Sequence, residues 1–444
     1  MADRPDITHS LPGPGKGPTL ELPLLRVVLR EAGGKRAEVP LGLPAVTVGT
    51  AADCDLVCAD ERVSRHHCRL WLPSSDRIVI RDLGSKNGTS VGGVRIVEAL
   101  LPVGVSATLG SSVLRVELEG GVRHVALSSE GRFGDAIGTS PAMRAAFAAL
   151  AAAASTDEPL LIRGESGTGK EVLARSVHAA SARTAGPLVV FDCGASAHPG
   201  AAEAELYGCA AGALPGVTGD RPGLLEQAHG GTLVLDDVGE LPLDVQPLLL
   251  RALEEKQVHP LGSPARRPAD FRLISTALAD LRPLVREGRL REDLYFRLAG
   301  LEVTVPPLRE RREDLAALAD LFLSELVPPR RLADLPAGTL RLLEGHDWPG
   351  NARELKRTVR RLALFPDLGE SAIDALSARE PRATVEDLPL KEAREAVLAA
   401  FEKKYLEHQL QKHGGNVSAA ARAMGVSRQF AHKLLARHGL RGAE

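Results

Sequence analysis

The chain has 444 residues, of which 44% are hydrophobic, and a formal net charge of −2. That length supports about three domains, and the near-zero charge excludes a surface built as a whole to attract nucleic acid or membrane, so charge has to be read locally. No apolar run approaches the ~20 residues of a membrane span, no signal-peptide pattern opens the chain, and five scattered cysteines (Cys54, Cys58, Cys68, Cys193, Cys209) show neither CxxC nor zinc spacing, which predicts a cytoplasmic protein with small buried thiols and no membrane partner. Residues 1–19, with Pro5, Pro12, Pro14 and Pro18 among glycines, read as a disordered lead-in. Over 20–120, short alternating runs at 25–29, 46–49, 68–72, 78–80 and 113–118 are cut by Gly33-Gly34, Asn87-Gly88, Gly92-Gly93 and Gly110. This spacing predicts an all-β sandwich.

Within that sandwich, Val46-Thr47-Val48-Gly49-Thr50, Val63-Ser64-Arg65-His66-His67 and Asp82-Leu83-Gly84-Ser85-Lys86-Asn87-Gly88-Thr89 occur in order. The set resembles the forkhead-associated (FHA) domain, whose end loops bind phosphothreonine peptides. Phosphate recognition needs cationic and hydroxyl donors converging on one point. The resemblance implies that Ser64 and Arg65 meet the phosphate, that Lys86 adds charge and that Asn87 holds the peptide backbone. It further implies a phosphorylated protein or a Ser/Thr kinase as partner. Thr50 stands where the family has Arg, so a bidentate phosphate contact is lost. His67 is expected to bond loop backbone. The alternative is a sandwich that docks intramolecularly without phosphate.

Residues 134–365 alternate strand and helix patterns, which predicts an α/β domain with a parallel sheet. Leu160-Leu161-Ile162-Arg163 runs into Gly164-Glu165-Ser166-Gly167-Thr168-Gly169-Lys170-Glu171, and an apolar-periodic helix follows. That is strand, phosphate loop, helix. Backbone N–H groups of the glycine-rich turn close around phosphate, Lys170 reaches the β/γ oxygens, and the helix N-terminus adds partial positive charge. ATP is the expected ligand. Downstream, the apolar strand Thr232-Leu233-Val234-Leu235 ends in Asp236-Asp237. Asp236 is placed to hold Mg2+, and Asp237 to polarise the attacking water.

Three further motifs carry a family resemblance: the run from Gly288 through Arg291 and Arg297 to Leu298, Val305-Pro306-Pro307-Leu308-Arg309-Glu310-Arg311, and Trp348-Pro349-Gly350-Asn351-Ala352-Arg353-Glu354-Leu355. Together they resemble the AAA+ domain, with its helical lid, of the bacterial enhancer-binding proteins that activate sigma-54 RNA polymerase. The resemblance implies a hexameric or heptameric ring with nucleotide between subunits. Arg291 and Arg297 would reach a neighbour's γ-phosphate, and Arg353 would act in cis from the lid. The planar guanidinium fork suits that task.

Four positions depart from the family. Asp237 replaces Glu and is one methylene shorter. Asp192 replaces the Asn that restrains that Glu. Ala277, in Ser275-Thr276-Ala277, replaces the first sensor Asn. The loop that contacts sigma-54, normally Gly-Ala-Phe-Thr-Gly-Ala, reads Gly212-Ala213-Leu214-Pro215-Gly216-Val217. These changes predict slow hydrolysis and weak engagement of sigma-54 polymerase.

Residues 366–390, with Pro366, Pro381, Pro389 and several acids, read as a linker, and 391–444 as an all-α module. From 401 on there are eight Lys/Arg (Lys403, Lys404, Lys412, Arg422, Arg428, Lys433, Arg437, Arg441) against three acids (Glu402, Glu407, Glu444), so this module is basic in a neutral chain. Asn416 or Ser418 is placed to cap an Ala-rich helix that Gly425 breaks. Ser427 caps a second helix with Phe430, Leu434 and Leu435 on one face and Arg428, Gln429, His432 and Lys433 on the other. This resembles the Fis-type helix-turn-helix, which implies a dimer bound to upstream promoter DNA through the second helix. Tyr405, Leu406 and Leu410 are candidates for the dimer interface.

Two readings follow. In the first, phosphothreonine binding controls an ATP-driven ring that acts on sigma-54 polymerase while the C-terminal dimer tethers it to DNA. In the second, the ATPase domain is an oligomerisation or nucleotide-sensing platform of a DNA-binding regulator. The intact phosphate loop, arginines and helix-turn-helix favour the first, whereas Asp192, Pro215, Asp237 and Ala277 favour the second on mechanism.

Overall fold

Alternation of apolar and polar residues builds the first layer. In the computed structural model eleven strands form the N-terminal sandwich: β1 (Thr19–Arg30), β2 (Arg36–Leu41), β3 (Val46–Gly49), β4 (Leu56–Val57), β5 (Cys68–Ser74), β6 (Arg77–Asp82), β7 (Thr89–Val91), β8 (Val94–Ile96), β9 (Glu98–Leu100), β10 (Ser106–Leu109) and β11 (Ser112–Ala126). One sheet runs β2-β1-β11-β10-β7-β8 and the other β4-β3-β5-β6-β9. Val27, Leu29, Val48, Leu70, Ile80, Leu114 and Val116 point between them and are buried. Gly49 closes β3 at a close approach, because a Cβ there would lie 2.0 Å from the Arg65 carbonyl oxygen. Only glycine lets the loop after β4 pass over β3 at that distance.

The structure describes residues 18–195, 199–214 and 218–365, with 406, 409, 413, 416–424 and 426 beyond them. Residues 1–17 of the lead-in, the 366–390 linker, the loop positions Pro215, Gly216 and Val217, and the DNA-reading set Ser427, Arg428, Gln429, His432 and Lys433 lie outside the described residues, whereas Thr19, the last residue of the expected lead-in, already opens β1. The chain divides into two units, Met1–Ile373 and Asp374–Glu444.

The α/β domain has five parallel strands in the spatial order Leu188–Asp192, Thr232–Asp236, Arg272–Ala277, Leu160–Arg163, Leu301–Thr304. Both faces are covered, so successive residues on a strand enter different cores. Leu160, Ile162, Val234 and Ile274 pack under the helices Pro141–Ala154 and Lys170–Ala179, while Leu161, Leu233, Leu235 and Leu273 pack on the opposite side. The strand ends then carry Gly164, Asp192, Asp236 and Ala277 along one edge, where ligands bind in open α/β sheets. A lid of helices Leu315–Ser324, Thr339–Glu344 and Asn351–Leu364 packs around Trp348, which is fully buried and donates its indole N–H to the Leu343 carbonyl at 2.8 Å.

In the second unit the helix Val417–Ala423 starts directly after Asn416, and Leu406 packs with Val417 and Ala421 in a small core. This corrects the expectation for Leu406. At 2% exposure it closes the module's own interior, not a dimer face. Tyr405 and Leu410 lie outside the described residues. Among the described residues no helix is long and apolar enough to cross a membrane, and all five cysteines are buried free thiols.

Candidate functional site

The phosphate loop folds as its glycines require. Gly167 has φ +76° and a Cβ there would meet the Gly350 carbonyl oxygen at 2.3 Å, so loop and lid touch backbone to backbone. Gly164 N–H donates to the Ala277 carbonyl at 3.1 Å, stitching the loop to the neighbouring strand. Lys170 opens its helix behind Gly169 and is buried. Its Nζ donates to the carbonyls of Gly164 at 2.8 Å and Glu165 at 3.3 Å, and stands 4.0 Å from Asp237. Burial pulls the Lys170 ammonium below its usual range, and Asp237 and Asp236 push the other way. Glu171 departs from the cradle set. Its exposed carboxylate turns away to Arg175 at 2.9 Å, leaving only its first-turn N–H for phosphate.

The paired carboxylates sit where strand register puts them. Asp192 lies opposite Asp236. Thr276 Oγ donates to Asp236 Oδ1 at 2.5 Å and accepts from Asp237 N–H at 2.9 Å. Asp237 occupies the left-handed region at φ 51°. Its Oδ1 is buried without a hydrogen-bond partner among the described residues. Burial raises the Asp237 carboxyl above the usual carboxylate range, Lys170 opposes that, and Asp236, Asp192 and Glu240 add to it. Asp192 is occupied with its own turn, accepting from Gly194 N–H at 3.0 Å. An orphaned carboxylate oxygen beside Asp236 is a donor set that fits a hard divalent cation. At position 277 only the backbone reaches the loop.

The lid supplies three groups. Arg353 donates to Ser166 Oγ at 2.9 Å. Asn351 is fully buried, accepts from Leu308 N–H at 2.7 Å and donates to the Ser166 carbonyl at 3.0 Å. Arg311, buried too, donates to the Thr168 carbonyl at 3.0 Å. Glu165 is gripped by the Arg309 fork at 2.7 and 2.5 Å. Burial disfavours its charge, but Arg309 outweighs that, and the carboxyl titrates below its ordinary range. Arg309, Arg311 and Asn351 were not singled out from sequence, although they lie inside the quoted 305–311 and 348–355 motifs. The remaining two arginines are on the helix start and body of Glu292–Leu298. Arg291 is exposed and pairs with Asp293 at 2.8 Å, and Arg297 is exposed with no ion pair among the described residues. Both are thus outside the cis cradle.

In the sandwich, Thr50, Ser64 and Lys86 are joined by hydrogen bonds, while Arg65 adjoins Ser64 and Asn87 adjoins Lys86. Thr50 N–H donates to the Ser64 carbonyl at 3.1 Å, Lys86 N–H donates to Ser64 Oγ at 3.0 Å, and Asn87 Nδ2 donates to the Arg62 carbonyl at 2.7 Å. His67 is fully buried and braces the loops, accepting from Ser64 N–H at 3.0 Å through Nδ1 and facing the Gly88 carbonyl at 3.3 Å through Nε2. Burial lowers its pKa. Arg65 is exposed and lines a cleft of about 410 Å³, together with Ala51, Ala52 and Asp53. The facing wall is the α/β domain: Asp237, Glu240, Ala277, Asp280, Glu287 and Arg289. Of the sigma-contact loop, Gly212, Ala213 and Leu214 are described, with Leu214 partly buried.

Comparison with known proteins gives four family matches along the chain. The FHA domain matches residues 46–110, the sigma-54 interaction domain 136–304, the AAA+ ATPase lid domain 309–388 and the bacterial regulatory protein, Fis family, 397–429. The chain is 36% identical over 311 residues to the transcriptional activator RocR of Bacillus subtilis, covering 67% of each, and 39% identical over 300 residues to the transcriptional regulatory protein ZraR of Klebsiella oxytoca, covering 66% of each. It therefore spans about two thirds of the length of these relatives. NtrX of Brucella abortus in complex with ATP superposes with a TM-score of 0.50 at 35% identity, over 70% of this chain and 71% of that one.

Proposed function

The chain belongs to the family of sigma-54-dependent transcriptional regulators, and from that premise we propose an ATP-fuelled activator of sigma-54 polymerase with slow turnover and a weakened sigma contact. Its modules are 20–120 for phosphothreonine, 134–365 for ATP and 391–444 for upstream promoter DNA, joined by the 366–390 linker. They work in the cytoplasm. The observation that carries the reading is the meeting of Lys170, Asp236, Asp237 and the lid's Arg353 at one edge of the sheet.

Lys170 and the loop N–H groups bind the phosphates, with Gly164, Gly167, Thr168 and Gly169 shaping the cradle. Mg2+, held by Asp236, would neutralise phosphate charge there. Asp237 orients the attacking water, and Arg353 reports nucleotide to the lid. Arg291 and Arg297, free of the cis cradle, serve a neighbouring subunit's phosphate, which makes a ring the working form. The NtrX complex with ATP supports the ligand assignment by analogy.

The test is open-complex formation on a sigma-54 promoter with a non-hydrolysable ATP control. The wild type is expected to open the promoter poorly, and Leu214→Phe with Pro215→Thr and Asp237→Glu to restore opening. Proline removes a hydroxyl and a backbone N–H that the family loop presents and fixes φ at about −65°. Robust opening by the unmodified chain overturns the weakened contact.

Phosphothreonine peptides are expected to bind more tightly than their unphosphorylated forms. Ser64→Ala should erase the difference, since Ser64 Oγ also tethers the Lys86 backbone, and Thr50→Arg should strengthen binding. Calorimetry against a degenerate phosphopeptide library reads this, and a chain with no phospho-preference in any pool refutes it.

For DNA, Arg428→Ala, Gln429→Ala or Lys433→Ala in the full chain should cost about 1–3 kcal/mol each where a base contact is lost. Gel-shift titrations at two salt concentrations separate base contacts from phosphate contacts, and wild-type affinity in all three variants would remove the second helix from the DNA.

A further inference from the structure

The N-terminal sandwich does more than hold its own ligand loops. β5 starts at Cys68, immediately after the Ser64-Arg65-His66-His67 loop, and its second residue, Arg69, reaches the α/β domain. Arg69 Nε lies 2.6 Å from Glu310 Oε1, and its Nη1 lies 3.6 Å from Glu165 Oε1. Glu165 belongs to the phosphate loop. Glu310 is buried, and its Oε1 has no hydrogen bond of good geometry among the described residues. Arg69 is therefore the sandwich's charge partner for two carboxylates at the mouth of the nucleotide cradle. A second tie lies nearby. Arg81 on β6 pairs with Asp347, next to Trp348, and with Glu98 at 3.4 Å, and Arg312 approaches the same two acids. On the far side, Arg286 donates to the Ala52 carbonyl at 3.2 Å.

We propose that Arg69 is a positioning residue of the ATP site, supplied in cis by the FHA sheet and acting through Glu165, and that phosphothreonine binding at the FHA loops opposes nucleotide binding by drawing this sheet off the ATPase. The second half rests on the phosphothreonine reading above. Its sign comes from charge. A phosphothreonine carries about two negative charges, and to engage Arg65 it has to enter a cleft whose other wall bears four acids, Asp237, Glu240, Asp280 and Glu287, against one cation, Arg289. Like charges at that range repel, so peptide binding favours the undocked sandwich. Undocking removes Arg69 from Glu165 and leaves more negative charge beside the triphosphate. By linkage the two ligands weaken each other equally.

Fluorescent ADP titrated into the full chain tests both halves. Arg69→Ala is expected to raise the dissociation constant about fivefold, Arg69→Lys to raise it less, and Arg69→Ala to have a much smaller effect in a Glu165→Gln background, where only Glu310 is left to neutralise. A purely structural role for Arg69 would not shrink when Glu165 is neutralised. Thermal melting of each variant confirms folding. Saturating phosphothreonine peptide should weaken ADP binding to the wild type by a similar factor and leave Arg69→Ala unchanged. Wild-type ADP affinity in Arg69→Ala, or an undiminished loss in the Glu165→Gln background, overturns the positioning role. A peptide that binds without changing ADP affinity overturns the coupling. A chain that binds no phosphopeptide overturns the phosphothreonine reading and the coupling with it, while the Arg69 and Glu165 cycle still decides the positioning role.

Discussion

Asp237→Glu combined with Asp192→Asn is expected to raise ATP turnover by as much as ~100-fold, the scale on which a misplaced catalytic group costs rate. Asp237 carries the carboxylate at the end of an apolar strand, with one oxygen buried and without a hydrogen bond among the described residues, and Lys170 is 4.0 Å from it, beyond hydrogen-bond reach. A further methylene carries the carboxylate outward by about 1.5 Å. The neighbouring strand then matters. Asp192 is in register with Asp236, and its charge adds to those that raise the Asp237 carboxyl. Asn at 192 removes one of those charges and offers an amide donor to the longer side chain. Asp237→Glu alone should gain less than the pair. Phosphate release under saturating ATP measures it, and a double variant no faster than the wild type would place the defect elsewhere, with Ala277 the next position to change.

Lys170→Ala should abolish measurable nucleotide binding. Lys170 is buried with its ammonium bonded to two loop carbonyls, and it faces Asp237 with Asp236 behind. Its removal deletes the cation that meets the phosphates and leaves those carboxylates to repel them. Truncating one member of a buried, hydrogen-bonded charge set costs about 2–5 kcal/mol, and the upper half of that range applies because attraction is replaced by repulsion. The dissociation constant then rises by ~100-fold or more. Equilibrium titration with fluorescent ADP, beside a melting curve showing an intact fold, gives the answer. Binding within tenfold of the wild type would mean that backbone N–H groups alone hold the nucleotide.

Much of this arrangement is legible from residue order. Turn glycines and alternating runs expose the sandwich, because each strand buries every second residue. The glycine-rich turn between an apolar strand and a periodic helix places Lys170, and an apolar strand ending in two acids places Asp236 and Asp237. What escapes is pairing across large separations. Asn351 reaches Glu165 and Ser166 from 186 and 185 residues away. Arg69 reaches Glu310 from another domain. Neither choice of partner leaves a local trace; Arg69, for one, sits in a strand pattern that any solvent-facing polar residue would satisfy. Leu406 illustrates a different limit. An apolar helix position states that something covers it, and here the cover is the module's own Val417 and Ala421, not a second chain.

The bond from Gly164 N–H to the Ala277 carbonyl joins the loop to the sensor strand through main chain alone. Any residue type at 277 can provide that oxygen. A lineage could thus lose the sensing side chain without loosening the cradle, and selection for a folded, nucleotide-filled protein would not notice. In this architecture the bond that shapes the phosphate loop is independent of the side chain at 277, so a change of residue there alters what the strand presents to nucleotide without altering the loop it holds.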